Sequence, residues 1–412
     1  MPKHCNLVAS ALLAGAGLFT LTARAELWRT GYLPGWEQTN LPAAAVDFSV
    51  VTHLVHFALI PQADGSLDWD RDSITSANSA EVVSSAHAAG RKALICVGGA
   101  GVANQSNFQA AASSANVSRL VGNLTNFLAD RGYDGVDLDW EPLTASDTAS
   151  YTNLVNRLRS ALDAFPQHKL LTAAVGAYPP YGDPPDGHYA LFAGLQSKFD
   201  QINLMTYDMS GPYSGWVTWF NSPIYDGGFH LPSSGGLVPS VDGSVSNFIA
   251  HGMLPGKLGI GLPFYGYVWT GGSGTSTEGV LLPRQSWTNV PAVTMPAYTA
   301  IMDVYFHSNN YHWDSAAQAA YLSITNTNPA RNTFVSYDDP QTCRAKARYV
   351  QKLGLGGIMI WELAQDHKSG RPDVLLESLK PALGIHDVSS SLDPPALGPT
   401  NNGTTGSIPR GL

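Results

Sequence analysis

Residues 134–141 read DGVDLDWE. Asp137, Asp139 and Glu141 stand two apart, the period at which a β-strand returns to the same face. Val136, Leu138 and Trp140 take the alternate positions, so one strand offers a row of carboxylates on one side and an apolar surface on the other. Carboxylates crowded together and withdrawn from water cannot all ionise, because burial and mutual repulsion raise the pKa of some of them. A raised carboxyl is what general-acid chemistry near neutral pH requires. Asp134 has the opposite parity and opens the strand, where it reads as a structural support. A divalent-cation site is the rival reading, since clustered carboxylates bind hard cations. The other apolar runs carry no matching acidic row, and the mature His residues are scattered, so no metal and no organic cofactor is expected.

The surrounding chain supplies elements able to hold such a strand. Short apolar runs recur at 27–36, 51–60, 92–99, 133–141, 169–177, 199–208, 257–266 and 356–363. Near-continuous apolar runs suit parallel strands covered on both faces. Helical stretches fall between them. Leu154, Leu158 and Leu162 mark one helical face in 150–165, and 76–89 ends at Gly90, a helix-stop residue. Eight strand–helix repeats predict an α/β fold, a (β/α)8 barrel, in which Glu141 falls at the C-terminal end of the fourth strand, the end where barrel active sites lie. About ninety residues separate the seventh and eighth runs. A structureless loop of that length is improbable, so 268–338 is read as a small α+β insertion.

Composition bounds the partners. The chain has 412 residues, 44% of them hydrophobic, and a formal net charge of −9. No basic run is present, which argues against nucleic acid as a partner. Lys3, an apolar stretch from Leu7 to Leu21 and the small-residue site Ala23-Arg24-Ala25 read as a secretory signal peptide over 1–25, with an N-terminal membrane anchor as the alternative. No later segment is long and apolar enough to span a bilayer. The catalytic unit is then 26–385, expected to be extracellular, monomeric and off the membrane. Cys96 and Cys343 read as buried free thiols rather than a disulfide framework. Residues 386–412, rich in Pro, Gly, Ser and Thr, read as a disordered tail.

Asp134, Asp137, Asp139 and Glu141 together resemble the DxxDxDxE pattern of family 18 glycoside hydrolases, the chitinases. The likeness extends along nearly the whole mature chain. GYLPGW resembles the family's first strand, KALICVGG its SxGG motif with Cys96 in place of serine, LMTYD the sixth strand, GLPFYG the seventh, and GGIMIWELAQD the eighth. FVSYDD resembles the end of the insertion carried by one chitinase subgroup.

The resemblance implies a mechanism. Glu141 would protonate the glycosidic oxygen, and the substrate's own N-acetyl carbonyl oxygen would be the nucleophile, the substrate-assisted exception to the two-carboxylate scheme. Asp139 would accept the acetamido N–H and share a proton with Asp137, while Tyr207 would donate to the acetamido oxygen. Trp361 would floor the reacting sugar, with Met205 and Asp208 beside the same pocket. Tyr32, Trp36, Tyr265 and Trp140 join the implied substrate-binding set, and Gly98 and Gly99 would allow close backbone approach behind the catalytic strand. Tyr178, Tyr181, Trp216, Trp219, Tyr267 and Trp269 are further candidates for a glycan track. Two positions depart from the pattern: Pro142 stands where many members have tyrosine, and Tyr267 where many have arginine. The implied substrate is chitin or chitooligosaccharides. An endo-β-N-acetylglucosaminidase acting on N-glycan cores keeps the same chemistry on another substrate, and a non-catalytic chitin-binding lectin keeps only the fold.

Overall fold

The fold is that of a computed structural model, described here for residues 26–178 and 185–385. The leader 1–25, the tail 386–412 and the track candidate Tyr181 lie outside the described residues. Eight parallel strands form the barrel: Trp28–Pro34, His53–Pro61, Lys92–Gly99, Gly135–Trp140, Leu170–Gly176, Gln201–Met205, Leu258–Pro263 and Gly357–Trp361. Each of the eight apolar runs matches one of them, the second strand extending one residue past its run. Neighbours in sequence are neighbours in the sheet, and pairing of the first strand with both the second and the eighth closes the cylinder.

Side-chain alternation divides the core in two. Val136, Leu138 and Trp140 belong to the outer layer, packed with helix residues such as Leu120, Leu124, Leu154 and Leu158. Leu94, Cys96, Ala174 and Met359 belong to the inner layer. Helix Thr148–Leu162 buries Leu154, Leu158 and Leu162 on one face. Each such leucine contributes about 1.5–3 kcal/mol relative to exposure. Helix Ser76–Ala88 starts at Thr75, whose hydroxyl accepts from the Asn78 N–H, as a helix cap should.

One repeat is incomplete. The first connection holds only two 3-10 turns, Gly35–Glu37 and Ala43–Ala45, in place of an α-helix. Pro42, in the middle of this eighteen-residue connection, lacks the backbone N–H that a helix interior would use, and the chain makes two short turns on either side of it.

Between the seventh and eighth barrel strands the chain builds an antiparallel five-stranded sheet. Its order is Ala292–Thr294, Gly266–Thr270, Thr333–Tyr337, Ala319–Ile324, Tyr311–Asp314, and it carries helix Tyr298–Val304. The sheet enters directly after the seventh barrel strand and leaves into helix Pro340–Leu353. Cys96 and Cys343 are both buried and free. Among the described residues no helix is long and apolar enough to cross a membrane.

Candidate active site

The acidic row points into the barrel. Asp137 is fully buried. One of its oxygens accepts from the Tyr32 hydroxyl at 2.7 Å and the other from the Thr172 hydroxyl at 2.5 Å. Cys96, its register partner on the third strand, adds a thiol contact. Burial raises the Asp137 carboxyl, and these three donors offset only part of the rise.

Asp139 lies one step nearer the barrel mouth and behaves differently. It is hydrogen-bonded to Glu141, while its Oδ1 is buried with no partner. Burial holds it well above the usual carboxylate range, and the charges of Glu141 and Asp137 push the same way. Glu141 is raised to about 7, by burial first; its bond with Asp139 works against this and the charge of Asp208 adds to it. Two carboxyls hydrogen-bonded to each other share one proton, and they titrate as a pair. Sequence reasoning paired Asp139 with Asp137. The structure pairs it with Glu141 instead, while Asp137 is held by Tyr32 and Thr172.

A cleft of about 530 Å³ opens over this row. Tyr32, Trp36, Gly98, Gly99, Asp139, Glu141, Met205, Tyr207, Asp208 and Trp361 all line it, together with Tyr178. Trp361 packs edge-on to Phe57 with centroids 4.8 Å apart and tilts against Tyr32 at 5.7 Å. Trp36 stands out from the same wall, 46% exposed, with its ring edge against Phe57. The Tyr207 hydroxyl has only the Met359 sulfur at 3.6 Å, a weak acceptor, and burial with the surrounding carboxylates keeps the phenol protonated. Asp208 sits in the left-handed region, φ 55°. Its Oδ1 accepts from the hydroxyls of both Tyr265 (2.6 Å) and Tyr267 (2.8 Å).

Some expected residues lie elsewhere. Trp140 faces outward as its parity requires and stacks on Phe108 at 4.5 Å, away from the lining of this cleft. Trp219 and Trp269 are fully buried; Trp219 donates to the Pro239 carbonyl. Trp216 packs on Tyr213. Asp134 is a structural tie: its carboxylate accepts from the Ala93 N–H, His87 and Lys92. Burial would raise it, yet these donors hold it below the usual range.

Phe57, Arg71, Asp72 and Asn104 also line the wall and went unnoticed in the sequence. Arg71 donates to Asn104, which in turn donates to the Gly99 and Ala100 carbonyls. Phe57 had a signal, its place within the second apolar run. Thr172 had one too, since inward parity on the fifth strand sets it beside Asp137. Arg71 and Asn104 come from connections and had none. Among the described residues no group of three His, Cys, Asp or Glu side chains is arranged to hold a metal ion.

The arrangement offers a proton held near neutrality, a buried acceptor without a donor, a free phenolic donor and an aromatic floor, all within one cleft. Comparison with known proteins bears on it. The chain matches the family model for glycosyl hydrolases family 18 over residues 29–366. It is 32% identical over 266 residues to a probable endochitinase of Caenorhabditis elegans, covering 62% of this chain and 41% of that protein. Against chitinase A1 of Niallia circulans it is 30% identical over 303 residues, 67% of this chain and 40% of the relative. The chain therefore spans less than half the length of these two relatives. A solved family 18 N-acetylglucosaminidase from Paenibacillus barengoltzii superposes with a TM-score of 0.69 at 25% identity, over 87% of this chain and all of the other.

Proposed function

The chain belongs to glycosyl hydrolases family 18, and on that premise we propose that it is an exported chitinase that cleaves β-1,4 bonds between N-acetylglucosamine units with retention of configuration. The observation that carries the reading is the coupled Asp139–Glu141 pair, which holds its proton near neutral pH at the mouth of an aromatic-floored cleft. Glu141 gives that proton to the glycosidic oxygen as the bond to the anomeric carbon breaks. The acetamido carbonyl oxygen of the same sugar attacks that carbon from the opposite face, closing an oxazolinium ring. Glu141, now a carboxylate, takes a proton from water, and the water opens the ring from the side the leaving group vacated. Two inversions give net retention.

The remaining groups fit the charge that develops. Asp139 Oδ1, buried without a donor, is an acceptor for the acetamido N–H. Once Glu141 has spent its proton, a negative Asp139 stabilises the positive ring. Tyr207, bonded only to a sulfur, is free to donate to the acetamido oxygen. A flat sugar face stacks on Trp361 because both surfaces shed water there. Export rests on the leader-like residues 1–25. The Paenibacillus relative is an N-acetylglucosaminidase, which favours as second reading the same chemistry on other N-acetylglucosaminides, N-glycan cores included.

Early-time product analysis on N-acetylglucosamine hexamer, resolving anomers, tests both. New β-anomeric ends on short oligomers support the chitinase. Glycan release from a glycoprotein without hexamer cleavage supports the second reading, and binding without cleavage of either substrate overturns both.

A further inference from the structure

Lys346 lies on helix Pro340–Leu353, outside the cleft, and is fully buried. Its ammonium donates to Asp338 Oδ2 and to Ser222 Oγ, each at 2.5 Å. A buried ion pair is weak evidence for stability, since apolar side chains of similar volume often serve as well. Its value here lies in what it directs. An ammonium only donates, so Ser222 must accept from Lys346 and turn its own proton outward. That proton goes to the Thr206 carbonyl.

Thr206 immediately precedes Tyr207. Its own hydroxyl accepts from the Gly261 N–H and donates to the Gly261 carbonyl, pinning it to the seventh barrel strand. Asn221, next to Ser222, holds the other side of the same turn. Its Oδ1 accepts from the Asp208 N–H at 2.8 Å, and its carbonyl accepts from Met209 at 3.0 Å. Its Nδ2 donates to the Tyr265 carbonyl, and its own N–H donates to Ser336 on the last strand of the insertion. Residues 206, 208 and 209 are thus each tied to the 221–222 corner, and Tyr207 is bracketed between them. Asp208 needs such restraint, because a non-glycine residue at φ 55° is held there at a cost.

From this geometry we infer that Lys346 is a positioning residue: through Ser222 and the adjoining Asn221 it fixes the Tyr207–Asp208 turn, so that the inserted sheet and the helix after it set the geometry of the acetamido clamp. The inference rests on the reading that Tyr207 engages the acetamido group. The insertion reaches the clamp from both of its ends. Tyr267, near its start, bonds Asp208, and Ser336 and Asp338, near its finish, bond Asn221 and Lys346.

The test replaces the pair as a unit, Asp338→Leu with Lys346→Met, which leaves no buried charge unpaired. A second variant, Ser222→Ala, leaves the pair intact and removes only the relay. Each is assayed on N-acetylglucosamine hexamer and for binding of two ligands, a thiazoline analogue of the oxazolinium ion and the N-acetylglucosamine trimer. In both variants kcat is expected to fall about tenfold or more with KM within about threefold, the split that marks loss of a transition-state interaction. Thiazoline affinity is expected to fall about tenfold relative to trimer affinity, in step with that kcat loss. Equal loss of both affinities, or wild-type kcat with wild-type thiazoline binding, overturns the inference. A wild-type protein that neither cleaves hexamer nor binds the thiazoline overturns the reading beneath it, and that result appears before any variant is made.

Discussion

Gly98 and Asp139 are register partners on adjacent barrel strands, packed so closely that a Cβ on Gly98 would lie 1.9 Å from the Asp139 carbonyl oxygen. Gly98 also has φ 124° and Gly99, which faces Phe57, has φ 104°, conformations that side chains rarely adopt. The obstacle behind Gly98 is backbone and cannot swing aside. Gly98→Ala is therefore expected to cost about 2–4 kcal/mol, combining overpacking with backbone strain. It should also shift the strand that carries Asp139 and Glu141. Thermal melts and hexamer kinetics check this; an alanine variant with wild-type melting and turnover contradicts the close approach.

Glu141→Gln keeps the side chain's size and removes its proton transfer. Hexamer hydrolysis is expected to fall by about 10²–10⁴-fold, the range general acid–base catalysis supplies. Trimer binding, measured by calorimetry, should survive, because Trp36 and Trp361 remain in place. Near wild-type turnover would remove Glu141 from the acid's role.

The barrel was legible because parallel strands covered on both faces must be apolar runs, and eight such runs stand out between helical stretches. The catalytic row was legible because a strand's alternation is rigid: Asp137, Asp139 and Glu141 cannot face different ways. What escaped is set by distance in the chain rather than by local pattern. Tyr32 lies 105 residues from Asp137, and Tyr265 lies 57 from Asp208. Nothing in a linear pattern says that Tyr32 and Thr172 hold Asp137 while Asp139 pairs with Glu141. Trp219 and Trp269 misled for a related reason. A tryptophan in a connection is equally at home on a groove wall or in a buried cluster, and here Trp269 belongs to a strand of the inserted sheet while Trp219 packs between Phe220 and Phe229, both tryptophans buried. The missing first helix was hidden because a connection of eighteen residues is compatible with either a helix or two tight turns.

Activity should fall on the alkaline side as the Glu141 proton is lost, with kcat/KM declining above about pH 7. The charge of Asp208 helps hold that proton on. Asp208→Asn removes the repulsion, so the alkaline limb is expected to move to lower pH by roughly half a unit to one unit. Asp208 is exposed, so the shift should shrink at high salt. A pH–rate profile at two ionic strengths decides it, and a limb that stays put or moves upward contradicts the coupling.

Tyr207→Phe deletes one hydroxyl whose partner in the protein is a weak sulfur acceptor. Stability should therefore change little. If the phenol donates to the acetamido oxygen as charge develops, kcat is expected to fall by about 10²-fold, the loss typical for one such donor. KM should change far less. A large loss of stability with unchanged kcat in the folded fraction would assign Tyr207 to packing.

Glu362, next to Trp361, is a buried carboxyl that accepts from the Ala364 N–H. Burial raises it to about 8; that bond lowers it in part, and the charge of Glu37 adds to the rise. Unfolded, the group titrates near 4, so folding takes up a proton between the two values. The stability it contributes is fully present below about pH 4 and is lost as pH climbs through about 8. Glu362→Gln mimics the protonated carboxyl at every pH. The variant is expected to be more stable than wild type at pH 9, by on the order of 2–4 kcal/mol, and close to it at pH 4. Using the difference between the two proteins cancels every other titrating group common to both, so the sign of the slope belongs to Glu362. Paired melts from pH 4 to 9 measure it. A gap that narrows rather than widens with pH would mean that Glu362 is ionised in the folded protein, with a partner that compensates its charge.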